Sequence, residues 1–149
     1  MELGVALGVF GAAISFGIAG TGCGIALGQS AQAAAGVVAE DPKKFGQTLV
    51  LQAVGTTSGI YGLLMGFLIL TKSLTVTDVP TGLVLLAAGI PIGLVGCVAS
   101  IGQGWSMVSG IILIGKKPGE MAKALIYAAM VETMQVFGLL FSFIIYNSV

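Results

Sequence analysis

Four long apolar runs leave this chain little choice of fold. They cover residues Leu3 to Val38, Gly46 to Thr71, Thr81 to Ile114 and Met121 to Tyr146. A helix needs about 20 apolar residues to cross the hydrocarbon core of a bilayer, and every run is longer than that. With 56% hydrophobic and 8% charged residues, the chain falls far short of the roughly 25% charged residues of soluble domains. The sequence therefore predicts an all-α membrane protein with four transmembrane helices.

The lysines are unevenly distributed among the loops that connect these runs. Five of the six lie in or beside the loops 40–45 and 115–120, whereas the loop 72–80 has only Lys72. Because lysine-rich loops stay on the cytoplasmic side of a membrane, we expect both lysine-rich hairpin loops in the cytoplasm and both termini outside. The predicted location is the cell membrane. The net charge is zero, so no nucleic acid is expected as a partner.

The second half of the sequence repeats the first at a distance of 76 positions. The shift pairs Pro42 with Pro118, Gly62-Leu63-Leu64 with Gly138-Leu139-Leu140, and Phe67 with Phe143. A repeat of this length is one helical hairpin. Since each copy crosses the membrane twice, both copies enter it in the same direction as parallel repeats. We predict two tandem hairpins, residues 1–75 and 76–149, and this symmetry continues naturally into a ring.

Glycines form a regular row on the first apolar run. Gly20, Gly24, Gly28 and Gly36 recur at intervals of four residues, with Gln32 in the one gap, and Gly4, Gly8 and Ala12 extend the row towards the N-terminus. Small residues at this spacing allow helices to pack closely in lipid. We interpret the row as a packing surface that binds no ligand.

Glu132 is the one charged residue deep inside an apolar run, and Thr56 takes its place in the first copy. A charge near the bilayer centre costs roughly 2.5–3.5 kcal/mol on insertion scales and therefore marks an ion path. The carboxylate relieves this cost by taking up a proton or by holding a cation that other oxygens also coordinate. Both amount to reversible ion carriage. The alternative is a structural acid that stays protonated and hydrogen-bonded between helices.

Polar side chains stand at a similar depth on two other runs. Gln103 is about as far from its loop as Glu132, and the second run offers residues on one helix face, at i, i+3, i+4 and i+7. These are Val54, Thr57, Ser58 and Tyr61. A hard cation takes oxygen ligands, which the carboxylate, the Gln103 amide, the two hydroxyls and the Val54 carbonyl provide. Tyr61 is expected to donate a hydrogen bond to Glu132 and lock it.

Two of these assignments have alternatives. The hydroxyls of Thr57 and Ser58 can bond to their own helix instead of an ion, as is common for such side chains. Gln135, three residues beyond Glu132, either reaches the site or contacts a neighbouring subunit.

Four motifs occur in order: Phe45-Gly-Gln47, Gly59-Ile-Tyr-Gly62, Ile101-Gly-Gln-Gly104 and Ala128-Ala-Met-Val-Glu-Thr133. With them, the chain resembles the four-helix proteolipid of V-type and A-type ATPases, their K or c subunit, and most of all the bacterial sodium-linked branch. The resemblance implies a ring of identical subunits in membrane lipid, turning against a stator subunit that supplies an arginine. It also implies central-stalk subunits at the cytoplasmic loops, no cofactor beyond the transported Na⁺ or H⁺, and ATP chemistry in other subunits.

The same resemblance implies roles for individual residues. Glu132, Gln103 and Thr57 become side-chain ligands of sodium, Val54 a carbonyl donor and Tyr61 the lock. One position departs from the sodium pattern, which usually has Gln where this chain has Ser58. Because serine is shorter, sodium coordination depends on Ser58, on a water molecule or on Gln135, and the choice between Na⁺ and H⁺ stays open.

Other functions are less well matched by the sequence. A structural proteolipid or pore-forming scaffold needs Glu132 only to set helix packing. A small independent transporter requires more polar groups at midplane than this single cluster offers. Catalysis by the chain itself is disfavoured, because there is no histidine and the glycine-rich segment 20–30 lacks the Gly-Lys-Ser/Thr ending of a phosphate loop.

Overall fold

The computed structural model describes residues 2–149 and is helical throughout apart from short connections. Its helices are α1 (Leu3–Glu40), α2 (Phe45–Val54), α3 (Thr57–Ser73), α4 (Val79–Lys116) and α5 (Met121–Tyr146). Four segments are long and apolar enough to cross a membrane, namely Leu3–Glu40, Pro42–Ser73, Val79–Lys116 and Pro118–Tyr146. The predicted all-α fold with four transmembrane segments is confirmed.

The internal repeat is visible in the element bounds. Helices α1 and α4 each have 38 residues, and a short 3₁₀ turn follows each of them at Pro42–Lys44 and at Pro118–Glu120. All of these bounds recur 76 positions apart, as the sequence shift predicts. The chain therefore consists of two tandem hairpins. The exact division after residue 75, within the connection between α3 and α4, stays a prediction.

The second apolar segment contains a break that its hydropathy does not reveal. Gly55 and Thr56 form a turn between α2 and α3, whereas the matching positions in α5, including Glu132, are helical without interruption. Glycine weakens a helix, and threonine hydroxyls compete for backbone carbonyls. The Thr56 hydroxyl donates to the Ala53 carbonyl at 2.8 Å. The break thus occurs in the first copy at the position that corresponds to the carboxylate of the second.

Helices α1 and α4 pack backbone against backbone through their inward-facing glycines. Gly82 lies against Gly4, and Gly89 lies against Gly11. At Gly22 an added methyl group would lie 2.5 Å from the Cα atom of Cys97. Such contacts are typical of helices in lipid, where close van der Waals packing replaces the hydrophobic effect.

The predicted glycine row is divided between two surfaces. Its N-terminal members are turned inward, since Gly4 and Gly8 lie against the connection between α3 and α4 and the end of α3, and Ala12 is buried. Its later members face away from the rest of the chain. Gly24, Gly28 and Gly36 have open space where a side chain would be, and Gly20 meets only Phe16 of its own helix. The outer part of the row, residues 20–36, therefore takes no part in the packing of the single chain.

Candidate ion-binding site

A hydrogen bond joins Glu132 to Tyr61 across the bundle. The Tyr61 hydroxyl donates to Glu132 Oε1 at 3.0 Å, which connects α3 to α5. Both residues are half-buried, and the tyrosine packs against an apolar cluster that includes Met65 and Ile92. This is the contact expected of a lock on the carboxylate. The packing of the aromatic ring holds the Tyr61 hydroxyl in place.

Gln103 reaches from α4 to the same part of α5. Its side chain is fully buried, and Nε2 donates to the Ala128 carbonyl at 3.3 Å. Its Oε1 accepts a hydrogen bond from Gln135 Nε2 at 2.9 Å. Because Ala128 and Gln135 lie on either side of Glu132 in sequence, these bonds place the Gln103 amide at the depth of the carboxylate.

The hydroxyls on α3 are engaged by other partners. Thr57 donates to the Val54 carbonyl at 3.0 Å, the local bond that was its alternative assignment. Ser58 is fully buried and hydrogen-bonded to the hydroxyl of Ser100 on α4. Ser100 Oγ also lies 2.5 Å from the Gly96 carbonyl. The chain thus brings Val54, Thr57 and Ser58 to the interior side of the break, but holds both hydroxyls with bonds of their own.

The break between α2 and α3 is covered by protein. Cys23 on α1 donates through Sγ to the Gly55 carbonyl at 3.3 Å, and the side chain of Met107 lies against Gly55. Non-helical backbone is tolerated at membrane depth only where it is buried in protein or lines a cavity. The carbonyls of Val54 and Gly55 therefore accept side-chain hydrogen bonds in the middle of the segment, and such oxygens are suitable cation ligands.

Two residues that form hydrogen bonds near the candidate ligands, Ser100 and Cys23, were not predicted as partners. Ser100 lies one helical turn before Gln103, so both belong to one face of α4, and this spacing was a usable signal. Cys23 was hidden among apolar residues, and no sequence pattern connects it to Gly55. Both residues shape the surroundings of the candidate ligands through hydrogen bonds.

The electrostatics of the site suit a cation or a proton. Within residues 2–149 the structure shows one ion pair, Lys123 with Glu120 at 2.6 Å, and it lies at the start of α5. Glu132 therefore has an oxygen donor, Tyr61, but no cationic side chain as a partner. The amide oxygen of Gln103 lies on α4, and the carbonyl oxygens of Val54 and Gly55 lie at the break between α2 and α3. The arrangement has the chemistry to bind a small positive ion reversibly.

Two parallel membrane hairpins with a single carboxylate in the last helix define a class, the duplicated membrane proteolipids. The family model for the C subunit of ATP synthase matches residues 10–69 and again 86–145, once in each hairpin. The chain belongs to this family. The two matches are offset by the same 76 positions as the internal repeat.

Two relatives agree with this assignment. The A-type ATP synthase subunit K of Methanocaldococcus jannaschii is 39% identical over 139 residues, which are 93% of this chain and 61% of the relative. The chain thus spans about three fifths of that relative's length. The V-type sodium ATPase subunit K of Enterococcus hirae is 36% identical over 142 residues, which are 95% of this chain and 91% of the relative. The resemblance to V-type and A-type proteolipids is confirmed.

Proposed function

We propose that this chain is the ion-carrying subunit of the membrane ring of a rotary ATPase, and that it carries Na⁺ at Glu132. The observation that supports this most is the Glu132 carboxylate in the membrane, bonded to the Tyr61 hydroxyl at 3.0 Å without a cationic partner in the described chain. A carboxylate in this position is stable only with a bound proton or cation. The relative named a sodium ATPase subunit favours the cation.

Sodium is favoured over a proton by the number of buried oxygens nearby. A proton needs only the carboxylate, whereas a hard cation needs several oxygens to replace its water shell. Gln103 and Gln135 are both fully buried, and Gln135 Oε1 has no hydrogen-bond partner within residues 2–149. Because a buried amide oxygen is costly unless it is bonded, an ion in the site would account for this oxygen.

In the proposed mechanism the ring turns and each Glu132 alternates between two states. It loads an ion on one side, with Tyr61 bonded to the carboxylate, and releases it where a stator subunit presents an arginine. Identical subunits pack side by side, with the outer glycine row of α1 facing a neighbour. ATP is hydrolysed or made in other subunits of the complex, so the chain itself is not catalytic.

The proposed orientation places the 3₁₀ turns Pro42–Lys44 and Pro118–Glu120 in the cytoplasm. Both turns are adjacent to the lysine-rich ends of the hairpins, in accordance with the positive-inside preference. Lys44 supports the pairing of the two turns, because its ammonium group donates to the Gly115 carbonyl. Central-stalk subunits would bind this end of the ring.

Carbodiimide labelling of the purified ring, with the modified residue located by mass spectrometry, tests the proposal. We expect labelling of Glu132 alone, because it is the one carboxyl in an apolar setting, and we expect added Na⁺ to protect it. Labelling that depends on pH but not on Na⁺ would identify a proton carrier instead. Absence of labelling would reject ion carriage and favour the structural-scaffold alternative.

The Tyr61→Phe variant tests the lock. It removes the hydrogen bond to Glu132 but keeps the aromatic packing, and a hydrogen bond to a charged group is worth about 1.5–3 kcal/mol. Part of this is recovered by solvent or neighbours, so we expect the Na⁺ concentration for half-protection to rise roughly 3- to 30-fold, since 1.4 kcal/mol is about tenfold. Tyr127→Phe, at an exposed tyrosine of α5, is the matched control. Equal protection in both variants would show that Tyr61 has no such role.

A further inference from the structure

Gln135 and Gln103 form a pair of carboxamides beside Glu132. Both side chains have no exposed surface. Gln135 Nε2 donates to Gln103 Oε1 at 2.9 Å, and Gln103 Nε2 donates to the Ala128 carbonyl at 3.3 Å. Ala128 and Gln135 are four residues before and three residues after Glu132, so all three lie on one face of α5. The pair thus spans the helix turns that carry the carboxylate.

One polar atom of the pair has no partner. Gln135 Oε1 is buried and accepts no hydrogen bond within residues 2–149. A buried amide oxygen is costly unless it is bonded, and an amide oxygen is a ligand that hard cations accept. The bond from Gln135 Nε2 to Gln103 fixes the orientation of the Gln135 amide group. The Gln135 oxygen therefore cannot turn toward another donor unless that bond breaks.

Ser58 is the residue on α3 that stands where the sodium pattern has Gln. Its short side chain is fully buried, and its hydroxyl oxygen accepts a hydrogen bond from Ser100. That oxygen keeps one lone pair, whereas Gln135 Oε1 accepts no bond within residues 2–149. A bound cation would therefore relieve a larger cost at Gln135 than at Ser58.

We propose that Gln135 Oε1 is a direct ligand of the cation held at Glu132. The inference rests on the proposed function, since it requires that the site bind Na⁺. Gln103 supports it in two ways: its Oε1 orients the Gln135 amide, and this oxygen has a second lone pair for the ion. One carboxylate and two neutral amide oxygens balance the charge of a monovalent cation. Gln135 then adds affinity for Na⁺ without affecting protonation.

The test compares Gln135→Met with the wild type in the purified ring. Methionine has nearly the length and flexibility of glutamine but no oxygen ligand and little tendency to leave a cavity. We expect the Na⁺ concentration that half-protects Glu132 from carbodiimide to rise by about tenfold or more, the effect of losing one charge-assisted contact. The pH profile of labelling without Na⁺ should not move. Thr133→Val is the control, because Thr133 is exposed and bonds to the Met130 carbonyl.

Each outcome has a distinct meaning. Unchanged Na⁺ protection in Gln135→Met, with a protected wild type, would overturn the inference and leave the proposed function intact. A wild-type ring that Na⁺ does not protect would overturn both. A parallel shift of the pH profile and of Na⁺ protection would reveal a structural role and reject direct ligation. If the methionine variant does not assemble, Gln135→Ala is measured by the same criteria.

Discussion

We expect Glu132→Gln to abolish ion transport by the complex while the ring still assembles. The amide has the shape of the carboxyl group, and its oxygen still accepts the hydrogen bond from Tyr61 that the carboxylate accepts at 3.0 Å. The bound cation, however, loses the one negative charge in its surroundings. Leaving a buried charge without its partner costs about 3–5 kcal/mol, so ion affinity should fall by about two to four orders of magnitude.

The measurement is ²²Na⁺ uptake into proteoliposomes that contain the whole ATPase, together with gel filtration of the ring. Glu2→Gln is the matched control, since it also replaces a glutamate by its amide. Glu2 is exposed just before α1 and its side chain caps no backbone group. It lies at the opposite end of α1 from the proposed stalk-binding turns, so transport should be close to normal. Wild-type transport in Glu132→Gln would instead support the structural proteolipid, in which the acid only sets helix packing.

The transmembrane architecture was predictable because it depends on the hydrophobicity of whole segments and on the internal repeat. Apolar runs of sufficient length must become helices in lipid, where every backbone polar group needs an internal partner. The repeat at 76 positions then orders the helices into two hairpins, and no detail of side-chain packing is needed for this conclusion. The break at Gly55 and Thr56 was not predicted, because hydropathy averages over many residues and two weak helix formers do not change the average.

The residue types of the candidate site and the pairing of Tyr61 with Glu132 were predictable, but the partners of the other polar side chains were not. Helix periodicity places Tyr61 and Ser58 on one face of the second segment, and the bond from Tyr61 to Glu132 agrees with that placement. Whether Ser58 bonds to an ion or to Ser100 depends on how α3 and α4 are rotated about their axes. Sequence spacing within one helix contains no information about that rotation.

Gln135 illustrates the same limit. Its neighbour Met134 is 53% exposed, whereas Gln135 is fully buried, so a rotation of α5 by about one residue, or 100°, separates a buried side chain from an exposed one. The sequence left both possibilities open. The packing of α5 against α4, including the bond between Gln135 and Gln103, turns Gln135 into the interior of the chain, and its role as a ligand stays a prediction.

We expect replacement of glycine by valine to have opposite effects on the two faces of α1. Gly22→Val should separate α1 from α4, because even the first side-chain carbon would lie 2.5 Å from the Cα and carbonyl oxygen atoms of Cys97. Backbone cannot move aside as a flexible side chain does, so the cost should reach or exceed the roughly 1–3 kcal/mol typical of overpacking. Gly24→Val meets open space within the chain. It should leave the subunit folded and disturb only contacts with a neighbouring subunit.

Native thiols and subunit mass distinguish these outcomes. Cys23 is 8% exposed and bonded to the Gly55 carbonyl, so maleimide should modify it slowly in the wild type and in Gly24→Val. In Gly22→Val the opened seam should make this reaction at least several times faster.

Native mass spectrometry should show rings for the wild type and smaller species for Gly24→Val. Intact rings in Gly24→Val would place the glycine row away from the interface between subunits, and a protected Cys23 in Gly22→Val would contradict the tight α1–α4 seam. Both variants put the same residue into the same helix two positions apart, so differences in helix propensity cannot account for opposite results.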